Sequence, residues 1–401
     1  MSPKKSLPLP ALAAILYFSQ GFPFGIVNET VNLYLSFAHV PLGAIGLVGG
    51  VGVVWTLKFF WSPLIDAAGT YRAWIFGALA VMAVSIAAIG AAPAISTAFW
   101  GALIALAIAS ATQDIAIDAL VIRLTPEKLL GTVNSARVAS YRAAMIAAGG
   151  GVGVLADRIG WQRAFLVAAA VPLLILALIA ATVPRESGVI ATRENPLKTL
   201  MHWLRKPGAF AFLAIILLYR LGDNTLSPMI RRYWESRGYS AGEVGNVTTT
   251  LGMLCTIGGA IAGGAFVTRF GVYRGLLWLG IVQMLSNLTY AFVAMTNAGR
   301  MGMYGAAVTE AFCGGLGTAA FLSFLMYICD RENAATEYAL LTALFGVART
   351  FAFSISGYCA NALGFTRYYS LTAALALPGL ALLRLVRDRL SQPATAASIE
   401  P

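Results

Sequence analysis

The chain has 401 residues, of which 59% are hydrophobic and 11% charged, and its formal net charge is +11. A soluble globular domain carries about 25% charged residues, so this composition excludes a water-facing surface over most of the chain. Apolar runs close to the ~20 residues that a helix needs to cross hydrocarbon recur from end to end. They predict an all-α integral membrane protein, not an enzyme and not a nucleic-acid binder.

The first predicted span is 9–37. It follows Lys4 and Lys5 as a signal peptide would, but it is too long and lacks a small-residue cleavage pattern before the next span. Spans at 42–63, 73–92, 97–122, 134–156 and 164–184 complete a first group of six. Arg185–Pro207 is then the one long polar connection. Within it, Asn195–Lys206 (NPLKTLMHWLRK) reads equally as an amphipathic helix on the inner membrane surface or as a plain linker. Spans at 209–230, 243–266, 275–294, 302–328, 336–361 and 368–383 form a second group of six. The expected organisation is an N-terminal bundle at 1–184, a cytoplasmic loop at 185–208 and a C-terminal bundle at 209–401.

Twelve spans put both termini on one side, and the Lys/Arg bias says which. With the N-terminus inside, inner segments carry 16 basic residues and outer loops 7. The other five, Lys58, Arg137, Arg142, Arg220 and Arg349, fall inside spans. Both termini are therefore expected in the cytoplasm.

The two groups repeat. Asp66, Gly69 and Arg72 match Thr268, Gly271 and Arg274 at an offset of 202, and Gly153 and Gly160 match Gly357 and Gly364 at 204. A near-constant offset marks an internal duplication. Duplicated six-helix halves resemble the major facilitator architecture, whose substrate site lies near the midplane between halves. The stretch GAFVTRFGVYR (Gly264–Arg274) resembles that superfamily's inner-loop signature, with Thr268 where an acid is expected. The first copy keeps Asp66 but has Ala67 in place of the arginine.

Ionisable groups inside a membrane are costly and persist where they face a cavity or a partner. The first, fourth, seventh and tenth helices line the cavity in such a fold. They carry Glu29; Asp114 and Asp118; Arg220 and Asp223; and Glu310. Asp114 and Asp118 share a helix face. Equal depth about the turn near Lys128 sets Asp114 opposite Arg142 and Asp118 near Arg137. Such pairs suit either a structural lock or an inner gate that breaks during alternating access. Arg220 suits a carboxylate or phosphate, or local neutralisation by Asp223. Arg349 has no acid on its own helix, so it pairs with Glu310 or Asp223 or meets an anionic solute. Lys58, near a span end, can snorkel and is read as structural. Glu310 has no basic residue within a turn, and desolvation favours the neutral form of such an acid. It is the expected proton carrier, with Glu29 in reserve.

Other features have plain readings. Gly149–Gly153 and Gly314–Gly317 lie in apolar spans and suit close helix packing better than phosphate binding. Cys255, Cys313, Cys329 and Cys359 lack metal-ligand spacing, and His39 and His202 lie in loops. No cofactor or metal is expected, and nothing supports ATP-driven pumping.

Seven stretches together resemble the peptide–acetyl-coenzyme A transporter family, whose AmpG-type members are muropeptide permeases. They are YFSQGFPFG (Tyr17–Gly25), LKFFWSPLID (Leu57–Asp66), TQDIAIDAL (Thr112–Leu120), SYRAAM (Ser140–Met145), YRLGD (Tyr219–Asp223), EAFCGGLGTAAF (Glu310–Phe321) and ATEYALLTALFGVAR (Ala335–Arg349). The resemblance implies proton-coupled import of anhydro-sugar–peptides across the inner membrane. It adds Gln113 to the substrate-binding candidates Arg142, Arg220, Asp223 and Arg349. Departures are the lack of room for two extra spans between halves, Arg220 in place of lysine, and no basic cluster after Asp66. Import of a siderophore or another small anionic metabolite is the alternative; acetyl-coenzyme A transport and a non-transporting sensor are more remote. The expected partners are a small solute, protons and the lipid bilayer, with the chain a monomer.

Overall fold

The computed structural model describes residues 7–38, 51–182, 208–330 and 333–391, with the isolated residues Val48 and Arg205. The expected 185–208 loop and its amphipathic segment fall almost wholly outside the described residues, as do His39 and His202. Among the described residues every regular element is helical.

Helix α1 (Leu9–Gly25) starts at Pro8 and Pro10 and passes through a π-turn, Ile26–Thr30, into Val31–Phe37. Two short helices, Val53–Leu57 and Ser62–Ala67, form α2. Helix α3 (Tyr71–Ala91) is capped by the Thr70 hydroxyl, which accepts from the Ala73 N–H. Helix α4 is Thr97–Leu124. Helix α5 runs from Leu130–Ile146 through a second π-turn, Ala147–Gly151, into Val152–Ile159. Helix α6 is Trp161–Thr182. Helix α7 is broken at Tyr219–Arg220 into Ala209–Leu218 and Leu221–Ser236. Helix α8 (Gly252–Phe270) follows a third π-turn, Gly245–Leu251. Helices α9 (Val272–Thr296) and α10 (Arg300–Tyr327) follow. The run Ala334–Ala374 is interrupted at Gly364 (φ 72°, ψ 157°), so we call the part before it α11 and the part after it α12.

Ten helical stretches among the described residues are long and apolar enough to span a membrane, and one of them, Ala334–Leu390, holds both α11 and α12. The expected span at 42–63 lies partly outside the described residues. With that segment the layout agrees with twelve spans.

The helices form two compact units. One contains Met1–Leu124, Ser140–Thr199 and Cys329–Leu340; the other contains Thr125–Ala139, Leu200–Ile328 and Leu341–Pro401. Each therefore takes in a stretch that the duplication assigns to the opposite half. Those stretches begin at Thr125 and Cys329, 204 residues apart.

The duplication is also visible in the backbone. Gly69 and Gly271 have φ of 74° and 84°, and Gly160 and Gly364 have 83° and 72°. These left-handed turns admit glycine with little strain, so each pair ends its helices by the same device. In the first unit, Tyr34, Phe99, Trp161 and Phe165 pack ring to ring. In the second, Trp234, Tyr290, Tyr368 and Tyr369 are buried together. Helices α8 and α10 pack backbone to backbone, because a Cβ on Gly259 or Gly315 would overlap the Phe312 or Thr256 carbonyl. Large apolar side chains remain exposed along the helices, among them Val84, Leu174, Phe210 and Met301. In water so much exposed apolar surface would drive association; against lipid it is the expected outer face.

Candidate functional site

In the first unit the polar groups collect where α1 and α2 meet α4. Asp114 and Asp118, one turn apart, are both buried. Lys58 Nζ lies 3.7 Å from Asp114 Oδ2. The Tyr17 hydroxyl donates to Asp118 Oδ1 at 3.1 Å. Gln20 Nε2 donates to the Asp114 carbonyl at 3.2 Å, and Gln113 Nε2 to Ser19 Oγ at 3.1 Å. Lys58 does not snorkel. It is 9% exposed and turned inward to the carboxylate, because a buried Asp offers a stronger attraction than a span end several residues away.

Arg142 is half-buried in the same unit, with Nη1 3.9 Å from Met145 Sδ. Arg137 lies in the stretch that belongs to the second unit. Glu29 is exposed on the π-turn of α1, and its side chain packs against Gly149 in the π-turn of α5. The Thr30 hydroxyl donates to the Ala148 carbonyl at 2.7 Å and joins those two irregular turns. π-Turns within α-helices are frequent at functional sites.

In the second unit, the break in α7 turns Arg220 and Asp223 toward each other, with Nη2 and Oδ2 3.3 Å apart. Arg220 Nη1 donates to Thr318 Oγ1 on α10 at 2.6 Å. Gln283 Nε2 on α9 donates to Asp223 Oδ1 at 3.1 Å. Glu310 on α10 is half-buried, and its charged neighbours are Asp223 and Arg220. Arg349 is exposed, with its guanidinium 5.1 Å from the Phe353 ring centroid.

The structure thus brings together Arg220, Asp223 and Glu310, and separately Asp114 with Lys58. Residue-by-residue reading missed Tyr17, Gln283 and Asn287. The last two are amides four apart in an apolar span and so share one helix face. That signal was present, but α9 is not among the helices expected to line a cavity.

The inner-loop signature has a definite role. Asp66 Oδ1 accepts from the Tyr71 hydroxyl at 2.7 Å. Its Oδ2 accepts from the Thr336 N–H at 2.8 Å and from the Thr336 hydroxyl at 2.6 Å. A carboxylate thus sits on the first turn of α11, where the helix dipole favours it. At the related position in the second unit, Thr268 Oγ1 meets Thr132 Oγ1 at 2.9 Å on the first turn of α5.

A repeated helical bundle with a lipid-compatible outer face, and with acids and bases paired inside its units, defines a multi-pass membrane transporter. Comparisons with known proteins refine this. Residues 11–219 match the Major Facilitator Superfamily. The anhydromuropeptide permease of Escherichia coli (strain K12) is 34% identical over 395 residues, covering 96% of this chain and 80% of that protein. Two solved structures share the fold. The E. coli fucose:proton symporter FucP matches with a TM-score of 0.74 at 16% identity, covering 94% of this chain and 98% of that one. The proton:xylose symporter XylE matches with a TM-score of 0.71 at 11% identity, covering 95% of each chain. The chain belongs to the major facilitator superfamily and, within it, to the family of AmpG-type permeases. It is a transporter of a small-molecule substrate, not an enzyme.

Proposed function

We propose that the chain is a proton-coupled importer of anhydro-sugar–peptides across the cytoplasmic membrane, with Glu310 carrying the proton. The observation that carries the substrate class is the 34% identity to the anhydromuropeptide permease over 96% of this chain. The coupling rests on Glu310, a half-buried acid beside the Arg220–Asp223 pair. Arg220 and the Gln283 amide already hold the Asp223 carboxyl, and Glu310 is the acid in this group that we assign the exchangeable proton. Glu29 holds the reserve role in the other unit. Gln113, Arg142, Arg220, Asp223 and Arg349 are the proposed solute contacts, and pairing among Asp114, Asp118, Arg137 and Arg142 the proposed gate. Two six-helix bundles, 1–184 and 209–401, joined by a cytoplasmic loop at 185–208, are the proposed working parts.

Uptake of a labelled anhydromuropeptide into proteoliposomes tests this. A pH gradient, acid outside, should drive accumulation by the wild type. Glu310→Gln should abolish accumulation while exchange across the membrane persists. Unchanged accumulation by the Gln variant would remove Glu310 as carrier. Absence of anhydromuropeptide uptake, with uptake of a siderophore or another small anion instead, would replace the substrate class. For topology, a cysteine at Lys128 should react only with reagents that reach the cytoplasm, and one at Gly299 with an impermeant outer reagent. The reverse pattern would invert the orientation.

A further inference from the structure

The tightest polar arrangement in the second unit has a member on α9. Gln283 is 5% exposed, and its amide faces two acids. Its Nε2 donates to Asp223 Oδ1 at 3.1 Å. With the amide nitrogen given to that carboxyl oxygen, the carbonyl end of the amide is turned away from the contact. Oε1 must then point away from Asp223, and there it has no protein donor. A buried carbonyl oxygen without a partner is unfavourable enough to need an explanation.

The space in front of that oxygen supplies one. A Cβ placed on Gly314 would lie 3.8 Å from Gln283 Oε1 and 3.9 Å from Glu310 Oε1. The two oxygens therefore border the same point, kept open by a residue with no side chain. While Glu310 is ionised, both oxygens are acceptors and nothing joins them. Once Glu310 takes up a proton its carboxyl becomes a donor, directly or through one water. The other ionisable groups facing Glu310 are Asp223, Arg220, Tyr290 and Cys313. Asp223 and Arg220 bind each other.

We propose that Gln283 is a positioning residue for proton coupling: its amide nitrogen holds Asp223 while its amide oxygen receives the protonated carboxyl of Glu310. The two acids are thereby joined within one unit. Arg220 keeps that carboxylate in place when Gln283 engages Glu310. Gly314 is the necessary gap. The inference rests on Glu310 as the proton carrier, and the test separates the two claims.

The test is infrared difference spectroscopy of the full chain in lipid nanodiscs, between acidic and alkaline buffer. Glu310→Gln identifies the carboxyl band of Glu310 by removing it. In the wild type the band should have the lowered frequency of a hydrogen-bonded carboxyl. Gly314→Ala removes no polar group, and its methyl makes only ordinary contacts with both oxygens. It should move the band up toward the frequency of a free carboxyl, and Gln283→Leu should do the same. A band that stays put in the folded Gly314→Ala protein overturns the role of Gln283 and leaves Glu310 as carrier. If Glu310→Gln removes no band, Glu310 takes up no proton and both claims fall.

Discussion

Replacing Lys58 by methionine should remove the ion pair that it makes with Asp114. Lys58 Nζ and Asp114 Oδ2 are 3.7 Å apart, with side chains only 11% and 13% exposed. At that separation and an effective dielectric constant near 20, the attraction is about 4 kcal/mol. Most of it offsets the loss of hydration by both ions, so the intact pair adds little net stability. Removing one partner is different, because the remaining charge keeps its desolvation cost and loses this attraction. Lys58→Met and Asp114→Asn should each cost about 3–5 kcal/mol. The double variant should return to within about 1 kcal/mol of the wild type. Cys313 and Cys329 are buried and in no disulfide, so a thiol-reactive dye reports unfolding of the purified protein in detergent. Single variants within about 0.5 kcal/mol of the wild type, or a double variant no better than the worse single one, would refute the reasoning. Transport by the double variant then separates two roles. A structural lock is repaired by two neutral residues, whereas a gate that opens by breaking charges is not.

Asp66→Ala removes the carboxylate from the first turn of α11 and should cost about 1–2 kcal/mol in thermal unfolding; Thr336→Val added to it should cost little more, since both remove the same contact. Thr268→Asp restores the acid of the inner-loop signature opposite Thr132 and should stabilise the first turn of α5 by about 0.3–1 kcal/mol, read as a raised unfolding midpoint. Gly259→Val drives a side chain into the Phe312 carbonyl and should lower stability by about 1–3 kcal/mol or abolish expression. Arg220→Lys keeps the charge beside Asp223 but loses the forked reach to Thr318; uptake should fall severalfold at an unchanged level of folded protein, and loss of folded protein would instead assign the pair a structural role.

The fold was legible because lipid imposes a coarse rule that composition must obey. Long apolar spans and one polar connection follow from the cost of unsatisfied backbone in hydrocarbon. The duplication was legible because Gly69, Gly160, Gly271 and Gly364 are needed at left-handed turns whatever surrounds them. The site was half legible. Buried charges on α4, α7 and α10 could be selected by their cost alone, and Arg220 and Asp223 do meet. Partner identity was harder, because it depends on which faces the helices turn to one another. Nothing in a linear count of depth reveals Lys58 arriving from α2 at 3.7 Å from Asp114. Neutral amides were passed over for a related reason. Gln283 costs less to bury than a charge and stands out only beside Asp223.

The two units keep a common backbone and differ in chemistry. Their turn glycines correspond, and each begins one helix, α11 or α5, against an inner-loop residue of the signature. The contact is ionic at Asp66 and Thr336 but neutral at Thr268 and Thr132. Inside, the first unit pairs a lysine and an aspartate from different helices. The second pairs an arginine and an aspartate on one helix and surrounds them with an amide and a hydroxyl from two others. A lysine–carboxylate pair between helices is a point contact, and small relative movement of the helices weakens it. An i,i+3 pair within one helix moves as a body, so its charge balance survives such movement. A carrier benefits from both kinds. The first unit's contact is suited to responding to displacement, and the second unit's group to keeping its charge balance while displacement occurs.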